Sequence, residues 1–107
     1  MKVIEITERS SELIQTLLKV WENSVKATHL FLSNDEINNI KQYVPQALKA
    51  VSHLIIAKNA QGSPAGFMGI ENESLEMLFI TPEERGKGLG KQLIQYGIKH
   101  YSVKNWL

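Results

Sequence analysis

The sequence has no cysteine, which excludes disulfides, thiolate metal sites and a cysteine nucleophile, and fits a reducing compartment. It has no excess of one charge: 12 Lys and Arg stand against 11 Asp and Glu, a formal net charge of +1. No broad field therefore favours DNA, RNA or an anionic membrane, and neither a nucleic acid nor a membrane is expected as a partner. No apolar run approaches the ~20 residues needed to span a bilayer. Glu5 and Glu8 interrupt the N-terminal stretch, so it forms no secretory h-region, and a cytoplasmic protein is the expectation. The three histidines, His29, His53 and His100, show no metal-ligand spacing, and no metal is expected.

What is present is an ordinary globular balance over 107 residues, 43% apolar and 21% charged, enough for one domain with one core. Lys2 to Thr7 is a β-branched run and reads as a first strand. Ser10 or Ser11 caps a helix whose buried stripe is Leu13, Ile14, Leu17, Leu18, Trp21 and Val25, spaced by threes and fours. Ser33 and Glu36 form a capping box for a second helix. Pro45 disfavours helical geometry at Val44, so this helix is expected to end or kink near Tyr43, with a further short turn over 46–50.

Strands are expected over 52–58, 65–70 and 75–80, joined by turn-rich links at 59–64 and 72–74. A glycine-bearing loop over 81–90 leads into a helix over 89–101. Val103 to Leu107 reads as the start of a fifth strand. The order β-α-α-β-β-β-α-β describes an α/β or α+β fold, a mixed, mainly antiparallel sheet flanked by helices.

The segment with chemical content is Leu78-Phe79-Ile80-Thr81-Pro82-Glu83-Glu84-Arg85-Gly86-Lys87-Gly88-Leu89-Gly90-Lys91. It reads as strand, proline turn, glycine-rich loop and helix start. Glycines at 86, 88 and 90 let an anionic ligand approach the backbone and open positive φ. The helix start offers unpaired N–H groups and a partial positive charge, and Arg85, Lys87 and Lys91 add formal charge, so the whole suits a pyrophosphate. A Walker A loop fails at Arg85 and Gln92, and a dinucleotide-binding fingerprint fails at Lys91 or Leu93, depending on register.

Arg85-x-x-Gly88-x-Gly90 resembles the coenzyme A motif of the GNAT acetyltransferases, Gln/Arg-x-x-Gly-x-Gly/Ala. Gly66 to Ile70 resembles the strand before that family's central strand, and Leu78 to Pro82 the central strand with its exit turn. Residues 21–32 resemble the first-helix region of small bacterial members of the YjaB type. The resemblance implies acetyl-coenzyme A as co-substrate, transfer of its acetyl group to a primary amine of a small molecule or protein, and an acceptor pocket lined by the first two helices. It implies that the backbone of Leu78, Phe79 and Ile80 binds the pantetheine arm and that the amides of Gly86, Lys87, Gly88, Leu89, Gly90 and Lys91, behind Arg85, hold the pyrophosphate.

Such chemistry needs a base near the amine and an oxyanion donor near the carbonyl. The donor candidate is the backbone N–H of Phe79 or Ile80. Glu76 and Glu71 are candidate bases, against the alternative that both face solvent. His29 either contacts the acceptor or relays a proton, or else simply ends its helix, stabilised by the dipole. Trp21 and Phe31 read as core or pocket wall. Tyr96 and Tyr101 lie on the wrong helix for the family's acid. The family continues with a fifth strand, a fourth helix and a closing hairpin, so the domain, 1–107, is expected to be incomplete at its C-terminus and weak in turnover. The alternatives are a coenzyme A-binding module and a self-associating fragment. A bare edge on the fourth strand favours a homodimer.

Overall fold

Leu54 to Ala57 and Ala65 to Ile70 are unbroken buried runs. Runs of this kind form strands where both faces of a sheet are covered. The computed structural model, which describes residues 2–28 and 31–105, covers both. Four strands, β1 (Lys2–Ile6), β2 (His53–Lys58), β3 (Pro64–Glu71) and β4 (Ser74–Ile80), lie in the order β1-β2-β3-β4 with every pair antiparallel. Helices α1 (Ser11–Thr28), α2 (Asn34–Lys41) and α3 (Val44–Ala50) cover one face, and α4 (Leu89–Tyr101) covers the other.

On the first face Ile14, Leu17, Leu18, Trp21 and Val25 of α1 pack on Leu54, Ile56 and Phe67, with Ile37 and Leu48 closing the layer. On the second, Leu89 and Leu93 pack on Ile55, Met68 and Ile70. Each such side chain stabilises the fold by about 1.5–3 kcal/mol through apolar burial. Gly97 lets α4 lie close: a Cβ there would stand 3.2 Å from both Ile70 Cδ1 and Val103 Cγ2.

The caps fall where the sequence places them. Leu13 N donates to Ser10 Oγ at 3.1 Å. Glu36 N donates to Ser33 Oγ and Ser33 N to Glu36 Oε1, each at 3.1 Å. Three readings are corrected. Helix α3 begins at Val44 rather than beyond Pro45, because Pro45 occupies its first turn, where a missing N–H costs nothing. Phe31 is 96% exposed, so it is not core, whereas Trp21 is buried at 5%. Gly90 is an ordinary helical residue, and positive φ is confined to Gly86 and Gly88 within the loop. At the chain's end a single parallel bridge joins Asn105 to Ser74, with Leu75 N donating to Asn105 O at 2.7 Å; Trp106 and Leu107 lie outside the described residues.

One long-range cap has no signature in the sequence. The guanidinium of Arg9 donates to the carbonyls of Leu48, Lys49, Val51 and Ser52. It thus supplies donors and positive charge where α3 presents its negative end.

Candidate functional site

Residues Leu78, Phe79 and Ile80 close β4, and their partners on β3 are Met68, Phe67 and Gly66. Thr81 N donates to Ala65 O at 2.9 Å. Antiparallel alternation then turns the N–H and C=O of Phe79 toward β3 and those of Leu78 and Ile80 toward the outer edge. The position of Phe79 O agrees, since it would stand 3.0 Å from a Cβ at Gly66. Among the described residues no strand covers that outer edge. Two peptide units therefore offer hydrogen-bonding groups there, and Phe79 does not, which narrows the three backbone residues to Leu78 and Ile80 and removes the N–H of Phe79 as an oxyanion donor.

Glu76 sits in a feature the sequence does not announce. Gly69 pairs with Met77 and its neighbour Ile70 with Leu75, so Glu76 is the extra residue of a β-bulge. The bulge lets Leu75 pack toward α4 while Met77 packs toward α1. Glu76 itself is exposed, midway along the free edge. Glu71 is at the other end of the sheet, about 20 Å from Ile80 at the usual rise per residue. Ser52 donates to it through both its hydroxyl and its N–H, and these bonds hold the carboxylate below its ordinary range. Glu71 is thereby spoken for as a cap on the start of β2, and it does not serve the loop. His29 lies outside the described residues.

After β4 the chain makes a 3-10 turn, Pro82–Glu84, and enters α4 through Gly86 (φ 81°) and Gly88 (φ 77°). Side-chain-bearing residues rarely adopt this left-handed region, which explains the glycines. A Cβ at 86, 88 or 90 would meet nothing within 4 Å, so the backbone is open on that side. Gln92 N donates back to Gly88 O at 3.0 Å and closes the first turn of α4. The amides before it are the helix-start donors that an anion satisfies.

The three cations behave differently from one another. Lys87 Nζ is 3.1 Å from Glu84 Oε2. Arg85 Nη2 donates to Ser24 Oγ at 2.9 Å and Ser24 O at 3.2 Å, and approaches Ile80 O at 3.5 Å. Lys91 is exposed, with no ion pair among the described residues. Of the three, Lys87 is the one paired with a carboxylate among the described residues, and Arg85 bonds neutral oxygens.

A model of the acetyltransferase (GNAT) domain family matches residues 31–105. The chain belongs to the GNAT acetyltransferase family. It is 35% identical over 96 residues to peptidyl-lysine N-acetyltransferase YjaB of Salmonella typhimurium, a match covering 90% of this chain and 66% of that relative. The solution structure of apo YjaB from Escherichia coli superimposes with a TM-score of 0.77 at 31% identity, over 92% of this chain and 66% of that one. PaiA N-acetyltransferase from Thermoplasma acidophilum, solved in complex with coenzyme A, shares the fold with a TM-score of 0.69 at 22% identity, over 92% and 71%. The chain therefore spans about two-thirds of the length of the YjaB relatives it matches. Within the GNAT fold the described sheet is antiparallel throughout and carries helices on both faces, as the sequence leads one to expect.

Two further arrangements escaped the sequence. Glu5 joins His53 and Tyr101 at the end of the sheet opposite the loop. Ser24, a buried polar residue of α1, joins Arg85. Neither has a local pattern, because each unites residues distant in sequence. A serine within the apolar stripe of α1 is the one available hint of the second. Among the described residues no group of three His, Cys, Asp or Glu side chains is placed to hold a metal, and no helix is long and apolar enough to cross a membrane.

Proposed function

We propose that the chain is a single acetyl-coenzyme A-binding domain, 1–107, of an N-acetyltransferase whose acceptor is a primary amine, with a peptidyl lysine as the leading class. The free edge of β4 at Leu78 and Ile80, running directly into the open amides of residues 86–91, is the observation that carries this reading. A pantetheine arm has amides that can pair with a strand edge, and its pyrophosphate would reach the helix start with Lys91 beside it. The acceptor class comes from the YjaB relatives, which are peptidyl-lysine N-acetyltransferases. Coenzyme A and acetyl-coenzyme A are bound by two neighbours of the same fold.

The reaction has simple accounts. The neutral amine attacks the thioester carbonyl, a C–N bond forms, the C–S bond breaks and coenzyme A leaves as its thiol. The amine must lose a proton and the sulfur must gain one. Glu76, projected by the bulge, is the base candidate on the described edge, and the N–H of Ile80 or Leu78 the oxyanion donor. Tyr101 gives its hydroxyl to Glu5 at the far end and is not the acid. A cytoplasmic site of action suits a co-substrate made and used there.

The free edge also favours a second arrangement, a two-fold dimer formed edge to edge through β4. It would compete with coenzyme A for Leu78 and Ile80. Light scattering across a dilution series with and without coenzyme A checks this: a dimer that coenzyme A dissociates is expected, and a constant monomer mass rejects it.

The main reading is tested by titrating coenzyme A against the melting temperature, since a ligand of the native state stabilises it by mass action. Gly88→Val is expected to abolish the shift while the variant stays folded. Undiminished binding by that variant would overturn the loop assignment. Release of thiol in the presence of a lysine peptide then separates an acetyltransferase from a module that binds without turnover.

A further inference from the structure

We infer that Arg85 is a positioning residue that clasps the cofactor loop to helix α1 through Ser24, and that its side chain is not a phosphate ligand; this rests on the reading of residues 85–91 as the coenzyme A loop. Helix α1 lies on one face of the sheet and α4 on the other, with the end of β4 between them. The Arg85 side chain joins α1 to the end of β4 just before the chain enters α4. Its Nη2 donates to the hydroxyl and the carbonyl of Ser24 and approaches the carbonyl of Ile80 on the free edge.

Ser24 is 4% exposed within an otherwise apolar stripe, a place where an unpaired hydroxyl would be costly. Its carbonyl also accepts from Thr28 Oγ1 at 2.8 Å. These oxygens belong to the last turns of α1, the negative end of that helix, where a guanidinium is favoured. A guanidinium with one nitrogen on Ser24 and near Ile80 O is turned toward α1 and the end of β4. Hydrogen bonds from a charged donor are stronger than neutral ones, so the clasp is a firm one.

Between Arg85 and Leu89, whose buried side chain anchors the start of α4, the loop has few side-chain contacts. Gly86 and Gly88 carry no side chains, and Lys87 pairs only with Glu84, three residues earlier on the same turn. The clasp at Arg85 and the anchor at Leu89 therefore bracket the amides of 86–88, and the clasp ties their leading end to α1. In this reading α1 leads toward the acceptor pocket, so one bond network sets the spacing between acceptor wall and cofactor loop.

Calorimetric titration of coenzyme A at low and high ionic strength, on wild type, Ser24→Ala, Arg85→Ala, Arg85→Lys and the double variant Ser24→Ala/Arg85→Ala, tests this. Arg85→Ala is expected to weaken binding about tenfold, as loss of one charged hydrogen bond implies. Ser24→Ala, which removes no charge, should reproduce part of that loss, Arg85→Lys should restore part of it, and the double variant should be no worse than Arg85→Ala. The salt dependence of binding should stay as in wild type throughout. A flattened salt dependence in Arg85→Ala, together with wild-type binding by Ser24→Ala, would make Arg85 a phosphate contact and overturn the clasp. Should wild type bind no coenzyme A, the functional reading fails, and the clasp is judged in the free protein: NMR order parameters of Gly86 and Gly88 fall in Ser24→Ala if it exists and stay unchanged if it does not.

Discussion

Tyr101, in the last turn of α4, donates its hydroxyl to the carboxylate of Glu5 on β1, across 96 positions of sequence. The other oxygen of Glu5 lies 2.9 Å from His53 Nδ1 at the start of β2, and the His53 ring stacks on Tyr101 with centroids 4.3 Å apart. Burial alone would raise the pKa of Glu5. The hydrogen bonds from Tyr101 and His53, with the nearby charges of His53 and Arg9, outweigh it and hold the carboxyl below its usual range. Burial, then the bond to Glu5, pushes the Tyr101 hydroxyl well above the usual phenol range.

Stability should therefore fall at both ends of the pH scale. The contribution of Glu5 is present above its unfolded pKa and is lost as pH falls through its lower folded value; Glu22, lowered chiefly by its bond to Lys41, adds to the acid loss. The contribution of Tyr101 is whole below the ordinary value of 10.0 and is lost as pH rises beyond it. Tyr101→Phe should cost about 1 kcal/mol at neutral pH and flatten the alkaline arm of a denaturation series. An alkaline arm unchanged by that substitution would place the titration elsewhere.

The turn between β3 and β4 is Asn72-Glu73, both with positive φ, 50° and 65°. This is the geometry of a type I′ hairpin turn, for which Asn-Gly is preferred. Glu73 pays the steric cost of the left-handed region, and its pair with Lys104 at 3.8 Å is exposed and weak. Glu73→Gly is expected to stabilise the protein by about 1 kcal/mol, read as a shift of the urea midpoint without change in slope.

Two glycines of β3 face β4 at close range. A Cβ at Gly66 would stand 2.6 Å from Ile80 Cδ1 and 3.0 Å from the Phe79 carbonyl oxygen; at Gly69 it would meet only the Met77 side chain, at 2.7 Å from Cγ. Backbone cannot yield as a methionine can. Gly66→Ala should therefore cost more than Gly69→Ala, about 2–3 against about 1 kcal/mol. Thermal melts giving the reverse order would contradict the register described.

Gly90 separates stability from binding. It lies in the first turn of α4 with open space where a Cβ would stand. Gly90→Ala should stabilise the helix by about 0.5–1 kcal/mol. Its methyl would point back toward the loop amides, since helical Cβ atoms lean to the N-terminus. The Gly/Ala alternative in the motif accepts that methyl, so coenzyme A titration is expected to show undiminished binding by a protein that melts higher.

The elements were legible because each is marked locally: the stripe of Leu13 to Val25, the Ser33–Glu36 box, the apolar runs of β2 and β3, the glycine spacing after Arg85. The loop's place between β4 and α4 was legible for the same reason. What could not be read is what distance in sequence hides. Arg85 turns to Ser24, 61 positions earlier. Arg9 reaches the end of α3, and Glu71, readable as a base, is held by Ser52. The bulge at Glu76 was hidden for another reason: Leu75 to Ile80 alternates weakly, so nothing in the residue pattern says where the count slips. Val44 departs from the expectation because Pro45 falls in the first turn of α3, where its missing N–H leaves no helix bond unmade.

The sheet is a meander in three of its strands and a long return in the fourth. Residues 59–63 join β2 to β3, and Asn72-Glu73 joins β3 to β4, but residues 7–52 lie between β1 and its partner β2. Closing a longer loop costs more chain entropy. β1 is thus expected to dock last as the chain folds and to lift away first, with Glu5, held by His53 and Tyr101, as its fastener. In hydrogen exchange the amides of β1 should open well before those of β3.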